Sequence, residues 1–249
     1  MTDPAIALRE EIWSILRSGD AEAAMRVLEL SSALPPPSEI PDSLTAHCIF
    51  DIAFEFERLG NDTIAMEQYR RVLQYRGTAA RYPASAWFRL GVCLRRQGNY
   101  AQSIDSFRKS LTLAEGLHHL ETLAHYYLAE LLEAAEEYDA AERSFATAMA
   151  RLPHPDIRDA HIRLAHGRCC WRIGDSGRAI DALSEVAQRS ESPESAEAWR
   201  WLAEIAEASG DAQGAERAYR EIIASPHAEP SLKAAAAYRR PSAGRSLSR

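Results

Sequence analysis

Two groups of histidine and cysteine residues have a spacing that could support chemistry. His166 and Cys170 stand four residues apart, which places both on one helix face within reach of a shared metal ion. His118, His119 and His125 are close enough in sequence to do the same. However, His166 and Cys170 occupy positions that carry Leu or Phe in a repeated pattern, and no cysteine or acidic array supports the three histidines. We therefore interpret both groups as structural and predict no metal site and no cofactor.

Signatures of the common enzyme classes are missing from the sequence. It contains neither of the glycine-rich phosphate-binding patterns, GxxxxGK[ST] and GxGxxG, and no HExxH or GxSxG. Because no set of residues has a catalytic spacing, we assign no catalytic residues and predict that the protein is not an enzyme.

The composition favours helices over strands. The chain of 249 residues contains 44 Ala and only 4 Val, and Ala is the best helix former whereas strands favour β-branched residues. Its net charge of −7 repels nucleic acid and anionic membranes, so neither is a predicted partner. The four cysteines show no CxxC spacing and the N-terminus is acidic, so we expect reduced thiols in a cytoplasmic protein. The excess of Arg over Lys is typical of a GC-rich bacterial genome.

Glycine and proline divide the chain into repeats. Proline clusters recur roughly every 40 residues, and proline breaks helix interiors. Between the clusters lie short turn signals, five of which begin their turn with Gly, the residue expected just after a helix. These glycines are Gly19, Gly60, Gly98, Gly174 and Gly210. Each repeat is therefore predicted to be a helix, a tight turn and a second helix. The repeats begin near Ala5, Ala46, Ala84, Thr122, Ala160 and Ala196.

Alignment on the turns produces columns of small and large residues. The eighth position holds Ile12, Ala53, Gly91, Ala129, Gly167 and Ala203. The fifth residue after the turn is small, and the fourth residue beyond it is large. The large residues are Leu28, Tyr69, Phe107, Phe145, Leu183 and Tyr219. A small residue on one helix facing a large residue on its neighbour is how packed helices interdigitate.

The third and fourth repeats carry the pattern most completely, and they resemble the tetratricopeptide repeat (TPR) family. The third contains Trp87, Leu90-Gly91, Gly98, Tyr100, Ser103 and Phe107, and the fourth contains Leu128-Ala129, Tyr138, Ala141, Phe145, Ala148 and Pro153. The resemblance implies an all-α fold, a right-handed α-solenoid of about six helix pairs with a C-terminal capping helix. The repeats are longer than the family's usual 34 residues.

This register predicts five segments along the chain. They are a degenerate first repeat at 1–32, a Pro-rich link at 33–43, five TPR-like repeats at 44–228, a capping helix at 229–238 and a disordered basic tail at 239–249. The tail is assigned on its lack of apolar residues.

The resemblance also implies a concave groove lined by one face of the first helix in each pair, where partner segments bind. Aromatic and Arg side chains occur on that face in repeats two to five. The candidate groove residues are Phe50, Phe54, Arg58, Phe88, Arg95, Arg96, Tyr126, Arg168, Trp171 and Arg172. Exposed aromatics beside Arg are typical of binding hot spots, and Arg grips carboxylates with two hydrogen bonds. An alternative for Phe50 and Phe88 is packing between adjacent first helices.

The family's carboxylate clamp for chaperone tails is not matched, because Phe50, Phe54, Leu123 and Tyr127 stand at positions where the clamp needs polar or basic residues. The sequence therefore predicts a protein–protein interaction module that holds a segment of an unidentified protein, as a scaffold, adaptor or partner-specific chaperone. The alternative is a regulator that senses a peptide or small ligand and changes shape on binding. The oligomeric state is left open.

Overall fold

The computed structural model describes residues 4–18, 21–37, 42–76, 78–189 and 192–239. The predicted Gly19 turn, part of the Pro-rich link and nearly all of the basic tail lie outside these residues. The described residues form thirteen helices and no strand, which confirms the predicted all-α class. The helices are α1 (Pro4–Ser18), α2 (Ala21–Ser31), α3 (Ser43–Arg58), α4 (Asp62–Val72), α5 (Arg81–Arg96), α6 (Tyr100–Leu113), α7 (His118–Ala134), α8 (Tyr138–Met149), α9 (Asp159–Arg172), α10 (Ser176–Ala187), α11 (Glu194–Ser209), α12 (Ala212–Ala224) and α13 (Pro230–Arg239).

The chain divides into two compact units, residues 1–124 and 125–249, and the boundary falls within α7. In the first unit each helix packs on its sequence neighbour, and α3 also contacts α1 and α5. Helices that follow one another also pack together in the second unit, from α9 to α12, and α13 packs on α12. Contacts between consecutive pairs are the pattern expected of stacked helical repeats.

The turns between paired helices use two adjacent residues, one to end a helix and one to begin the next. Gly60, Gly174 and Gly210 adopt positive φ angles of 77°, 85° and 76°, a conformation that costs Gly little. The next residue in each turn is Asn or Asp, whose side chain accepts a hydrogen bond from the first turn of the following helix. Glu136 takes the same left-handed conformation at φ 62° without being glycine. The predicted helix–turn–helix boundaries are therefore confirmed here.

The predicted columns of small and large residues meet inside the third and fifth pairs. A Cβ atom placed on Gly91 would lie 2.8 Å from the Phe107 ring, and one placed on Gly167 would lie 2.8 Å from Leu183. The hydroxyl of Ser103 donates a 2.7 Å hydrogen bond to the carbonyl of Gly91, across the same contact. The paired helices approach so closely that no larger side chain fits at these positions.

Candidate partner-binding faces

Two of the candidate groove aromatics belong to the packing between helices. Phe88 is only 4% exposed, and its ring centroid lies 5.6 Å from that of Phe107. Phe50 is half-buried, with its ring centroid 5.4 Å from that of Tyr69. Each ring therefore packs against the second helix of its own pair, α4 for Phe50 and α6 for Phe88, whereas the sequence alternative was packing between adjacent first helices.

Phe54 lies one turn beyond Phe50 on α3 and is more exposed than Phe50. Its side chain is 41% exposed, and the guanidinium carbon of Arg89 lies 4.7 Å from its ring centroid. Phe54 lines a cleft of about 510 Å³ whose walls come from α1 and α3. The lining residues are Trp13, Leu16, Arg17, His47, Asp51, Phe54 and Glu55. A largely apolar cleft of this size can accept a side chain of a partner.

Asp51 is a charged residue of this cleft that contacts both of its helices. The indole Nε1 of Trp13 donates a 2.8 Å hydrogen bond to its Oδ2, and His47 Nε2 lies 3.3 Å from the same oxygen. Burial raises the pKa of Asp51, and the nearby His47 ring and the Trp13 hydrogen bond offset this only in part. The loss of hydration therefore outweighs the two contacts in setting the direction of this pKa shift.

Arginines of the first unit's face already have carboxylate partners within the chain. Arg96 donates two hydrogen bonds to Asp62, at 2.6 and 3.0 Å, and lies 3.3 Å from Glu57. The hydrogen bonds to Asp62 are the main reason that the pKa of Arg96 is raised. Arg58 donates to Glu55 on its own helix at 2.6 and 2.9 Å, which lowers the pKa of Glu55. A partner carboxylate would have to compete with these internal pairs.

The second unit presents a face of the same kind. Arg168 grips Glu133 with two 2.8 Å hydrogen bonds and lies 3.7 Å from Glu197, so it joins α9 to α7 and α11. The guanidinium carbon of Arg172 lies 5.5 Å from the Trp201 ring centroid, a cation–π distance.

The two candidate aromatics of this face are half-buried. The hydroxyl of Tyr126 donates to Glu130 at 2.7 Å, and its ring centroid lies 6.2 Å from that of His161. Trp171 packs against the hydrophobic cluster that contains Leu183 and Trp201. Part of each ring therefore stabilises the unit, and the remaining part faces outward.

Of the seven residues that line the α1–α3 cleft, the candidate groove residues include only Phe54. Trp13 stands at the ninth position of the first repeat, which is a groove position, but the predicted groove comprises repeats two to five. Asp51 lies four residues after His47 and three before Phe54, so helical spacing places it on their face. The signal in the sequence that could have revealed this cleft was Trp13, an aromatic residue at a groove position of the first repeat.

One cluster in the second unit has the side chains needed to hold a metal ion. Glu142, His166 and Cys170 have ligand atoms within 4.8 Å of one another, and His166 Nε2 lies 3.2 Å from Glu142 Oε1. Arg178 donates to that same carboxylate oxygen at 2.6 Å, so an internal cation already balances it. Burial raises the pKa of the Cys170 thiol to about 11, which disfavours the thiolate that binds metals. The cluster thus forms a hydrogen-bonded junction of α8, α9 and α10, and the prediction of no metal stays a prediction.

Two family models match the sequence, both described as Tetratricopeptide repeat, over residues 82–154 and 164–229. Together they cover more than half of the chain. The chain belongs to the tetratricopeptide repeat family. TPR proteins generally act as non-catalytic interaction modules. A comparison with curated proteins finds no match.

Solved TPR structures share this fold at low sequence identity. YrrB, described as a TPR protein with an unusual peptide-binding site, has a TM-score of 0.67 at 16% identity, over 88% of this chain and 99% of that one. BtubC from P. vanneervenii has a TM-score of 0.58 at 16% identity, over 100% and 98% of the two chains. A MamA fragment from Desulfovibrio magneticus RS-1 has a TM-score of 0.57 at 17% identity, over 76% and 96%. These likenesses establish the fold as that of TPR helical solenoids.

Helix length and hydropathy also bear on membrane association. Among the described residues, no helix combines the length and apolar character needed to span a bilayer.

Proposed function

We propose that this TPR protein is a non-catalytic scaffold, adaptor or partner-specific chaperone that holds a segment of another protein against the first helices of its repeats. The observation that carries the proposal is the α1–α3 cleft, where Phe54 stays 41% exposed although neighbouring aromatics are packed away. Exposed aromatics at the edge of an apolar cleft are typical anchors for a partner side chain. The peptide-binding site described for YrrB supports this use of the fold.

The proposed contact residues differ in role between the two units. In the first unit Phe54 is the proposed anchor and Arg58, Arg95 and Arg96 are further proposed contact residues, while Phe50 and Phe88 pack within their helix pairs. In the second unit we propose a separate contact face, whose members are Tyr126, Arg168, Trp171 and Arg172. Because Arg96 and Arg168 are held by internal carboxylates, we assign them to positioning rather than to direct capture of a charged partner.

We place the activity in the cytoplasm. All four cysteines are buried as free thiols, and burial raises the pKa of Cys48, Cys93 and Cys169 to about 12. Free thiols that persist in the folded state support a reducing compartment.

The test is affinity capture with a matched pair of exposed aromatics. Phe54→Ala removes the proposed anchor, whereas Tyr100→Ala removes a 58% exposed aromatic at the start of α6, outside the cleft. We expect Phe54→Ala to lose at least one specifically captured protein that both the wild type and Tyr100→Ala retain, with unchanged thermal unfolding. Equal capture by all three proteins would show that the cleft does not bind the partner.

A further inference from the structure

The α1–α3 cleft is lined by an acid, Asp51, that contacts two side chains of the protein. Both contacts of Asp51, from Trp13 Nε1 and His47 Nε2, go to its Oδ2. The Asp51 side chain is 34% exposed, so part of its carboxylate faces solvent in the cleft. Arg17 also lines the cleft, yet no ion pair joins it to Asp51 among the described residues. The carboxylate can therefore accept a donor that enters the cleft.

The walls around this carboxylate are aromatic and apolar. Trp13, Leu16 and Phe54 line the cleft, and Glu55, which also lines it, is already bound by Arg58. A purely apolar side chain would fill the space but would cover Asp51 without giving it a partner, which is unfavourable. An arginine side chain can both fill the apolar space and give Asp51 a partner. Its methylene stem packs on apolar surface, and its planar guanidinium stacks on rings and binds carboxylates.

The protein itself provides an example of the stacking. The guanidinium of Arg89 already lies over the Phe54 ring, 4.7 Å from its centroid, and donates to Glu57 at 3.4 Å. A guanidinium that contacts an aromatic face and a carboxylate at once therefore already occurs in this unit.

We propose that the α1–α3 cleft accepts an arginine side chain of the partner segment, with its guanidinium on Asp51 Oδ1 and its stem against Trp13 and Phe54. This inference rests on the proposed function and names the chemistry of its partner. The cleft would thus select a basic segment. The raised pKa of Asp51 agrees with this, because an entering cation would stabilise the ionised carboxylate that burial disfavours.

The probes are acetylated and amidated pentapeptides, Ala-Ala-Xaa-Ala-Ala, in which Xaa is arginine, citrulline or leucine. Citrulline matches arginine in shape but has no charge. Binding to the full chain is followed through the NMR signal of the Trp13 indole N–H, assigned by its loss in Trp13→Phe. We expect the arginine peptide to bind about tenfold more tightly than either of the others, the size of one charge-assisted hydrogen bond.

Two variants test whether Asp51 causes the preference for the arginine peptide. Asp51→Asn should abolish the advantage of arginine over citrulline, whereas Asp105→Asn, at an exposed acid on α6, should leave it unchanged. If Asp51→Asn does not fold, the comparison of peptides on the wild type decides alone. Leucine or citrulline binding as tightly as arginine would overturn the inference and leave the proposed function standing.

The absence of any peptide-induced shift would also overturn the inference. The capture experiment then separates the two ideas, since loss of a partner in Phe54→Ala would retain the proposed function and unchanged capture would reject it as well.

Discussion

A glutamate and a tyrosine twelve residues apart occur in both units, and the two pairs have different surroundings. In the first unit the Tyr69 hydroxyl donates to Glu57 at 2.7 Å, and in the second unit the Tyr219 hydroxyl donates to Glu207 at 2.5 Å. The Glu57 side chain is 6% exposed, whereas the Glu207 side chain is 41% exposed. Identical residues at identical spacing thus form a buried contact in one place and a surface contact in the other.

The helices that come next in the chain account for this difference. The α3–α4 pair that contains Glu57 is followed by the full α5–α6 pair, and α5 supplies Arg89 and Arg96 at 3.4 and 3.3 Å from the carboxylate. The α11–α12 pair that contains Glu207 is followed, in the described residues, by the single helix α13, which supplies Arg239 at 3.5 Å. A following repeat removes water from the carboxylate and adds two cations, so the same pair should stabilise the fold more in the interior of the array.

Removing each carboxylate tests this contrast most directly. Glu57→Ala leaves Arg89 and the buried Tyr69 hydroxyl without their acceptor and removes one of the two carboxylates near Arg96, and we expect it to lower the free energy of unfolding by about 3 kcal/mol. Glu207→Ala should cost less than about 1 kcal/mol, because water replaces the lost partner. Urea unfolding followed by circular dichroism measures both. Similar losses in the two variants would contradict the comparison.

Deleting only the tyrosine hydroxyls sharpens the contrast, because phenylalanine keeps the ring that fills the core. Tyr69→Phe should lower the free energy of unfolding by about 1.5 kcal/mol, since it leaves the buried Glu57 carboxylate short of one donor. Tyr219→Phe should cost about 0.5 kcal/mol, the lower end for a hydrogen bond near water. The same urea experiment applies, and a larger loss for Tyr219→Phe would reverse our ranking.

The two tyrosines should also differ in how much they contribute to stability at alkaline pH. Burial raises the pKa of Tyr69 and of Tyr219, and the neighbouring glutamate raises each of them further. A raised pKa stabilises the fold below the unfolded value of about 10, and this contribution is lost as the pH rises through the folded value. The free energy of unfolding should therefore fall above about pH 10, by up to about 1.4 kcal/mol per pH unit for each tyrosine.

The tyrosine variants identify the source of that fall. Tyr69→Phe should flatten the decline above pH 10 more than Tyr219→Phe does, because Tyr69 is the more deeply buried of the two. Unfolding curves in urea at successive pH values provide the measurement. If the free energy of unfolding fell equally steeply with pH in the wild type and in Tyr69→Phe, ionisation of Tyr69 would not destabilise the fold.

The smallest effect is expected at the arginines. Arg239→Gln should leave the unfolding temperature unchanged, since its guanidinium is solvated. Arg96→Gln should lower the free energy of unfolding by less than about 1 kcal/mol, because the hydrogen bonds to Asp62 are partly screened by water. Differential scanning calorimetry detects either change. A measurable loss in Arg239→Gln would show that the α13 contact is stronger than its exposure implies.

Local features of the fold could be predicted well because they depend on short stretches of sequence. The turn glycines were assigned correctly at Gly60, Gly174 and Gly210, since a left-handed residue after a helix has few alternatives to Gly. The close approach at Gly91 followed from its alignment with the large residue at 107, and the structure confirms it. Each of these predictions needed only one helix pair.

The candidate site was harder to predict because exposure depends on neighbouring repeats. Helical spacing put Phe50, Phe54 and Phe88 on one face, but it could not say that Phe88 is covered while Phe54 remains open. It also could not show that Arg96 and Arg168 are held by Asp62 and Glu133. Those acids lie more than thirty residues away, on helices that meet the arginines only after the pairs have stacked.

The sequence by itself determined the helix pairs, their turns and the columns of small and large residues, because propensity, capping and periodicity act within one repeat. Only the tertiary structure decided which polar and aromatic side chains remain available to a partner. It joined Trp13 of one repeat to Asp51 and Phe54 of the next, and it set Glu57 and Glu207 in different surroundings. The physical reason is that solvent exposure and charge compensation belong to the contacts between repeats, whereas helix formation belongs to each repeat alone.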